Sequence, residues 1–283
     1  MKLKLFFILW VFAFIAHQDF NAQKQKNIAI TLDDLPTLSH DVLDSTQQIK
    51  YFERILSVLE NHNITATGFV VGKLVKPFNS FLIRKFVDKG HLVGNHTYSH
   101  FDFNGTSCAN FQNDIEINDN LISSYYQNSP KYFRYPMLHR GDSKSKRDSI
   151  KNYLAENCFI IAPVTIDSDE FKYNIEFVTA FFNRDSIKME EIGTQYLKHM
   201  IEKSQYFEDL GYKIESRNVN HILLLHMNLI NSFFLDDLLS WYEFNNWNFI
   251  SLEEALSDKI YKYEDKYFGN KGLSWLERII YEN

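Results

Sequence analysis

Short apolar runs alternate with longer amphipathic segments along most of this 283-residue chain. Residues 27–32, 65–71, 132–135, 159–166, 221–225 and 248–251 read as strands. Between them, Ile49, Phe52, Ile55, Leu56 and Leu59 recur at helical spacing behind a capping box at Ser45 and Gln48. Phe81, Ile83, Phe86 and Val87 do the same, with Gly90 as the stop, and residues 91–94 lead into a loop. Further helices are expected over 114–126, 143–157, much of 174–211, 235–244 and 252–256. Strand–helix alternation of this kind makes successive strands parallel and covers them with helices. The unbroken apolar run 159–166 fits a strand buried on both faces. About seven β/α units fit one closed or nearly closed barrel, with an open doubly wound sheet as the structural alternative. In either architecture functional side chains collect at the C-terminal ends of the strands. With only 10 Gly and 5 Pro, no repeat and no linker tract, a single domain is expected.

Lys2 and Lys4 precede an apolar run, 5–16, that is short for a bilayer span. Residues 1–22 are therefore expected to be a cleaved secretory signal, leaving 23–283 as one domain, secreted or periplasmic, with no stable membrane span. A net charge of −6 argues against a nucleic-acid partner. Cys108 and Cys158 are too few for a disulfide framework, and whether they pair stays open. Cys158 also reads as a small buried residue.

Asp33 and Asp34 directly follow the first strand. Adjacent carboxylates repel, so one pKa rises unless a cation separates them. Taken alone, the pair before Pro36 reads better as a turn than as a site. His96 and His100 stand at i,i+4, a spacing that puts two imidazoles on one side of a helical turn, within reach of one ion. Two His and one Asp leave coordination positions open, as catalytic sites do.

Thr31-Leu-Asp-Asp34, His96-x-x-x-His100, Phe133-Arg-Tyr-Pro136 and Leu223-Leu-Leu-His226 occur in this order. In motifs and order, residues 27–258 resemble the polysaccharide deacetylases of carbohydrate esterase family 4. That resemblance implies a distorted (β/α)7 barrel and a hydrolase that removes acetyl groups from an N-acetylated polysaccharide, peptidoglycan or chitin-like. It implies Asp34, His96 and His100 as ligands of one divalent metal, with zinc expected and cobalt, nickel or iron able to occupy the same donors. It implies Asp33 as the base for a metal-bound water, Arg134 as the partner that orients Asp33, and His226 as the acid that protonates the leaving amine. The Met137 N–H would help to hold the oxyanion.

The chain departs from the family pattern at four places. Leu35 follows Asp34 where Gly is usual, and Met137 replaces a common aromatic. Glu170 and Phe171 stand where Asp and Trp are expected, with Glu170 orienting His226 and Phe171 walling the acetyl pocket. Asp167 or Asp169 is the alternative orienting group. These changes keep two other functions in view, a catalytically silent carbohydrate-binding barrel and an O-acetyl esterase. His139, Arg140 and Asp142 form a loop that either reads substrate or is simply solvated, and Asn228 is placed at the mouth of the site. Oligomeric state is not written in the sequence.

Overall fold

The computed structural model describes residues 25–37, 42–126 and 129–282. The expected signal, 1–22, and His40 lie outside them. Seven parallel strands form one sheet: β1 (Lys26–Leu35), β2 (Thr67–Val70), β3 (Leu92–Asn95), β4 (Lys131–Phe133), β5 (Phe159–Ile161), β6 (Asn220–His226) and β7 (Trp247–Phe249). Their order is β5-β4-β3-β2-β1-β6, and β7 pairs with the start of β1. The chain beyond β5 then folds back onto β6. Thr165 N and Ile166 N both donate to Ile222 O at 3.1 Å, and Leu224 N donates to Ile166 O at 3.1 Å. These bonds join the two ends of the sheet, so the fold is the expected distorted barrel.

Nine helices among the described residues follow the strands: α1 (Ser45–Asn61), α2 (Ser80–Asp88), α3 (Cys108–Ile122), α4 (Lys144–Glu156), α5 (Phe171–Phe182), α6 (Ser186–Glu215), α7 (Leu229–Phe244), α8 (Leu252–Leu256) and α9 (Trp275–Ile279). α1 buries Tyr51, Phe52, Ile55, Leu56 and Leu59 against the outer face of the barrel. Each such side chain contributes about 1.5–3 kcal/mol of burial. Its capping box is one residue earlier than the sequence suggests: Asp44 accepts from Gln47 N at 2.8 Å. Gln48 is instead buried and gives its amide to Leu43 O at 2.9 Å. In α2 Ile83, Phe86 and Val87 are buried as expected, but Leu82 joins them and Phe81 is 46% exposed. Gly90, at φ 87°, ends that segment in a conformation that side chains disfavour.

Residues 91–94 are expected to lead into a loop, but Leu92–Asn95 is strand β3, because Gly94 lets the backbone run against the Phe69 ring and Tyr132 O. The apolar run 159–166 contains only a three-residue strand, and Ile160 is 43% exposed because β5 ends the hydrogen-bonded order of strands. Both cysteines are free thiols, and Cys158 is exposed, in a left-handed turn after α4.

Side-chain alternation along the strands does the work of assembling the site. On β1, Ile28, Ile30 and Leu32 face the helices, whereas Ala29 packs inside with Phe69, Tyr132, Ala162 and Ile222. Two-residue steps carry each inner row to the open end of the barrel. Ala29 leads to Thr31 and Asp33, Gly94 to His96, Tyr132 to Arg134, and Ile222 to Leu224 and His226. Asp33 and His226 are direct register partners across β1 and β6.

Candidate active site

In a regular strand Asp33 and Asp34 would point to opposite faces. They do not, because Asp34 takes a left-handed φ of 67° and the β1–β2 register shifts between Leu32 and Leu35. This bulge re-aims the second carboxylate. Asp33 Oδ2 lies 3.5 Å from His96 Nε2, and Asp34 Oδ1 lies 4.0 Å from the same nitrogen and 3.6 Å from His100 Nε2. One ligand atom from each of Asp34, His96 and His100 falls within 4.8 Å of the other two.

The two histidines are not on a helical turn, as their spacing suggested. Thr97 and His100 both have left-handed φ, 63° and 55°. Side chains hold this irregular path: Asn95 Oδ1 accepts from Thr97 N at 2.8 Å, Asp114 Oδ2 from Ser99 N at 2.8 Å, and Thr97 Oγ1 from His100 N at 3.0 Å. The rings meet edge to face, with centroids 4.9 Å apart. His96 Nδ1 donates to Arg134 O at 2.8 Å, which fixes the tautomer and leaves Nε2 bare toward the carboxylates. Burial, helped by His96 and opposed by Asp34, lowers the His100 pKa to about 4, so this ring is neutral at physiological pH. A carboxylate and two imidazole nitrogens on one small volume suit a divalent transition metal, so the donors present fit the ion that the resemblance implies.

Arg134 is 1% exposed. Its Nε donates to Ala162 O at 2.8 Å, Nη1 to Asp33 Oδ1 at 3.2 Å and Nη2 to Thr31 Oγ1 at 3.1 Å. Its guanidinium rests 4.3 Å from the centre of the Phe69 ring. Burial pulls its pKa down and the Asp33 charge opposes that pull. The Asp33 carboxylate is thereby gripped on one oxygen, and the other faces His96.

Across the barrel mouth, Glu170 is fully buried and takes four hydrogen bonds. Oε1 accepts from His226 N at 2.6 Å, His226 Nδ1 at 3.3 Å and Asn231 Nδ2 at 3.0 Å, and Oε2 accepts from Asn228 Nδ2 at 2.8 Å. Burial works to lower the His226 pKa, but the charge and hydrogen bond of Glu170 outweigh it, and the ring is pushed up to about 10. His226 therefore carries a proton at neutral pH, with Nε2 free to present it. Glu170, not Asp167 or Asp169, is the group that meets His226. Asp169 is exposed and pairs with Lys172 at 3.0 Å. Asp167 contacts the Asp169 N–H, and burial with the Asp169 charge raises its pKa to about 6.

Phe171 is 43% exposed and stands edge-on to His226 at 5.7 Å. Met137, 49% exposed with φ 55°, heads a tight turn after Arg134. Asn228 caps α7 through Asn231 N at 3.0 Å and reaches Glu170, so it holds the acidic group instead of lining the mouth. The loop histidine His139 pairs with Asp102 at 2.7 Å, and Arg140 with Asp265 at 3.3 Å, neither with the central carboxylates. His62, His91, His199 and His221 bond to Asp236, Ala66, Ser168 and Thr165 respectively, away from the cluster. Sequence reasoning missed Thr31, which links Arg134 to Leu223 O, as well as Phe69, Asn231 and Tyr196, whose hydroxyl donates to Asn231 Oδ1 at 2.6 Å. The Asn228-x-x-Asn231 spacing, a helix cap placed just after His226, was the available signal for Asn231.

The family model for polysaccharide deacetylase matches residues 20–153. A peptidoglycan-N-acetylglucosamine deacetylase of Bacillus cereus is 28% identical over 155 residues, which is 55% of this chain and 51% of the relative. The chain spans about half the length of the first curated relatives it matches. Among solved structures, a chitin deacetylase from Colletotrichum lindemuthianum superposes with a TM-score of 0.58 at 20% identity, covering 83% of this chain and 89% of that one. A carbohydrate esterase family 4 pseudoenzyme from Bacillus anthracis superposes at 0.57 with 18% identity, over 83% of this chain and 66% of the other. These likenesses establish the fold. The matched residues hold Asp33, Asp34, His96, His100, Arg134 and Met137, while Glu170 and His226 lie beyond them on the same barrel mouth. The part of the chain that carries those six residues, just under half of its length, is thus similar to the polysaccharide deacetylase family.

Proposed function

We propose that this protein is an exported, metal-dependent deacetylase acting on an N-acetylated glycan, peptidoglycan or a chitin-like chain. The observation that carries this reading is the register pairing of Asp33 with His226. It sets a carboxylate and a protonated imidazole on neighbouring strand ends beside the Asp34, His96 and His100 donors. Asp34, His96 and His100 would hold the metal, which when bound polarises the acetyl carbonyl and makes water a better nucleophile at neutral pH. Asp33 takes the proton from the attacking water, and Arg134 keeps its carboxylate aimed through Oδ1. The Met137 N–H, presented by the turn after Pro136, helps to hold the oxyanion. His226 gives its Nε2 proton to the departing sugar nitrogen, and Glu170, accepting from Nδ1, orients the ring and keeps it charged before the transfer. Phe171 keeps bulk water from the acid.

We take zinc as the resident metal, residues 1–22 as the export signal and 23–283 as the catalytic domain. Export agrees with the glycan named for the Bacillus cereus relative. Among the described residues no helix is long and apolar enough to cross a membrane.

The test is acetate release by the purified chain from N-acetylglucosamine oligomers, peptidoglycan and acetylated xylan, after chelation and after adding back zinc. Zinc-dependent acetate from either of the first two supports the proposal. Release from xylan alone would make the protein an O-acetyl esterase. Bound metal with no acetate from any of the three would place it with catalytically silent barrels.

A further inference from the structure

A second cluster of charge lies apart from the acidic metal donors. The last loop of the chain, 262–274, leaves a cavity of about 780 Å³ between itself, α4 and the exposed side of β5. Its size is within the usual range for small-molecule pockets, roughly 300–1,000 Å³. None of its lining residues is Asp33, Asp34, His96, His100, Glu170 or His226.

One face of α4 supplies Lys144, Arg147, Asp148 and Lys151, spaced i, i+3, i+4 and i+7. Arg140 and Lys262 add two cations, and Glu264 and Asp265 add two carboxylates. Five cations thus face three carboxylates, in a chain whose net charge is −6. Among the described residues Lys144, Lys151 and Lys262 have no ion-pair partner. Asp265 is oversubscribed: its carboxylate serves both Arg140 at 3.3 Å and Arg278 at 2.9 Å, and its carbonyl takes Arg147 Nη1 at 2.5 Å. Behind it Arg278 is 1% exposed, and its Nη1 finds no acceptor. Arg278 keeps Asp265 as its partner, so one carboxylate is shared between two guanidinium groups, and the three lysines at the cavity are left to draw an anion from solution. Arg140 is held rigid against the Trp275 and Tyr135 rings, at 5.1 and 5.6 Å, and Tyr261 and Tyr263 complete the wall. Fixed guanidinium groups match carboxylate and phosphate oxygens, and tyrosine faces suit a sugar ring.

We infer that this cavity is a binding site for an acidic saccharide, a sugar unit bearing a carboxylate or a phosphate. It stands independently of the proposed deacetylation, because its residues and its test involve no turnover. The experiment is ligand-observed NMR binding of D-glucuronate, glucose 6-phosphate and neutral N-acetylglucosamine to the full chain at low ionic strength. A Lys144→Gln, Lys151→Gln, Lys262→Gln triple variant is measured beside it. These side chains are exposed, so the variant should fold with an unchanged Tm. We expect at least one of the two acidic sugars to bind, with added salt weakening it, and the triple variant to lose about tenfold or more in affinity. Glucuronate alone binding would assign a carboxylated ligand, and glucose 6-phosphate alone a phosphorylated one. Failure of both to bind the unaltered chain, or equal binding by the triple variant, would overturn the site.

Discussion

Glu170→Gln isolates the part of the site that lies beyond the family match. The amide is isosteric and keeps one oxygen, which can still accept at the Oε1 position from His226 N, His226 Nδ1 and Asn231 Nδ2. Its NH2 group then faces Asn228 Nδ2, donor against donor, where Oε2 accepted at 2.8 Å. A lost buried hydrogen bond of this kind costs about 1–3 kcal/mol. The larger effect is on the proton. Glu170 is the main cause that lifts His226 to about 10, and burial alone works in the opposite direction. Without the carboxylate the ring returns to its ordinary value of about 6.5 or below, so at pH 8 only about 3% of it is protonated. An acid that must be protonated then loses about thirtyfold at pH 8, and little at pH 6. The alkaline limb of kcat/KM, measured by acetate release from N-acetylglucosamine oligomers, should move down by at least about 3.5 units. An NMR titration of His226 should show the same shift without turnover. The sign for stability follows too: a folded pKa above the unfolded one contributes stability that is full below pH ~6.5 and lost as pH rises toward about 10. An alkaline limb that stays in place in Glu170→Gln would refute the assignment of Glu170 as the group that keeps His226 charged.

Arg134→Met should destabilise the fold by about 3–5 kcal/mol, read from the urea midpoint, because it leaves the Asp33 charge buried without its partner. Gly272→Ala should lower kcat by about tenfold or more with metal content unchanged, since a β-carbon there would sit 2.1 Å from Met137 O and displace the turn that presents the Met137 N–H. His96→Ala and His100→Ala should each lower zinc content measured by elemental analysis while the fold persists by circular dichroism, because each removes one of three converging donors.

The barrel was legible because strand and helix periods alternate cleanly, and because buried parallel strands need apolar runs such as Leu223-Leu-Leu. The strand at 92–95 was hidden by its brevity and by Gly94, which carries no side chain to reveal a period. The run 159–166 misled for the opposite reason: Val164 and Ile166 are buried by packing against β6, not by belonging to β5. Of the site, the residue types and their order were legible, but the geometry was not. Spacing alone put His96 and His100 on a helical turn, and only the left-handed backbone at Thr97 and His100 brings their rings together. In the same way, nothing in an adjacent Asp pair discloses the bulge that turns both carboxylates inward. Thr31 and Tyr196 act through contacts far apart in sequence, so no local pattern announces their partners.

In the proposed mechanism two adjacent carboxylates divide the labour, one binding metal and one moving a proton, and this division can be tested on its own. It is tested most directly by measuring zinc content and acetate release side by side in Asp33→Asn and Asp34→Ala. We expect Asp33→Asn to keep its metal and lose turnover, and Asp34→Ala to lose both. Full activity in Asp33→Asn, or unchanged metal in Asp34→Ala, would contradict the account.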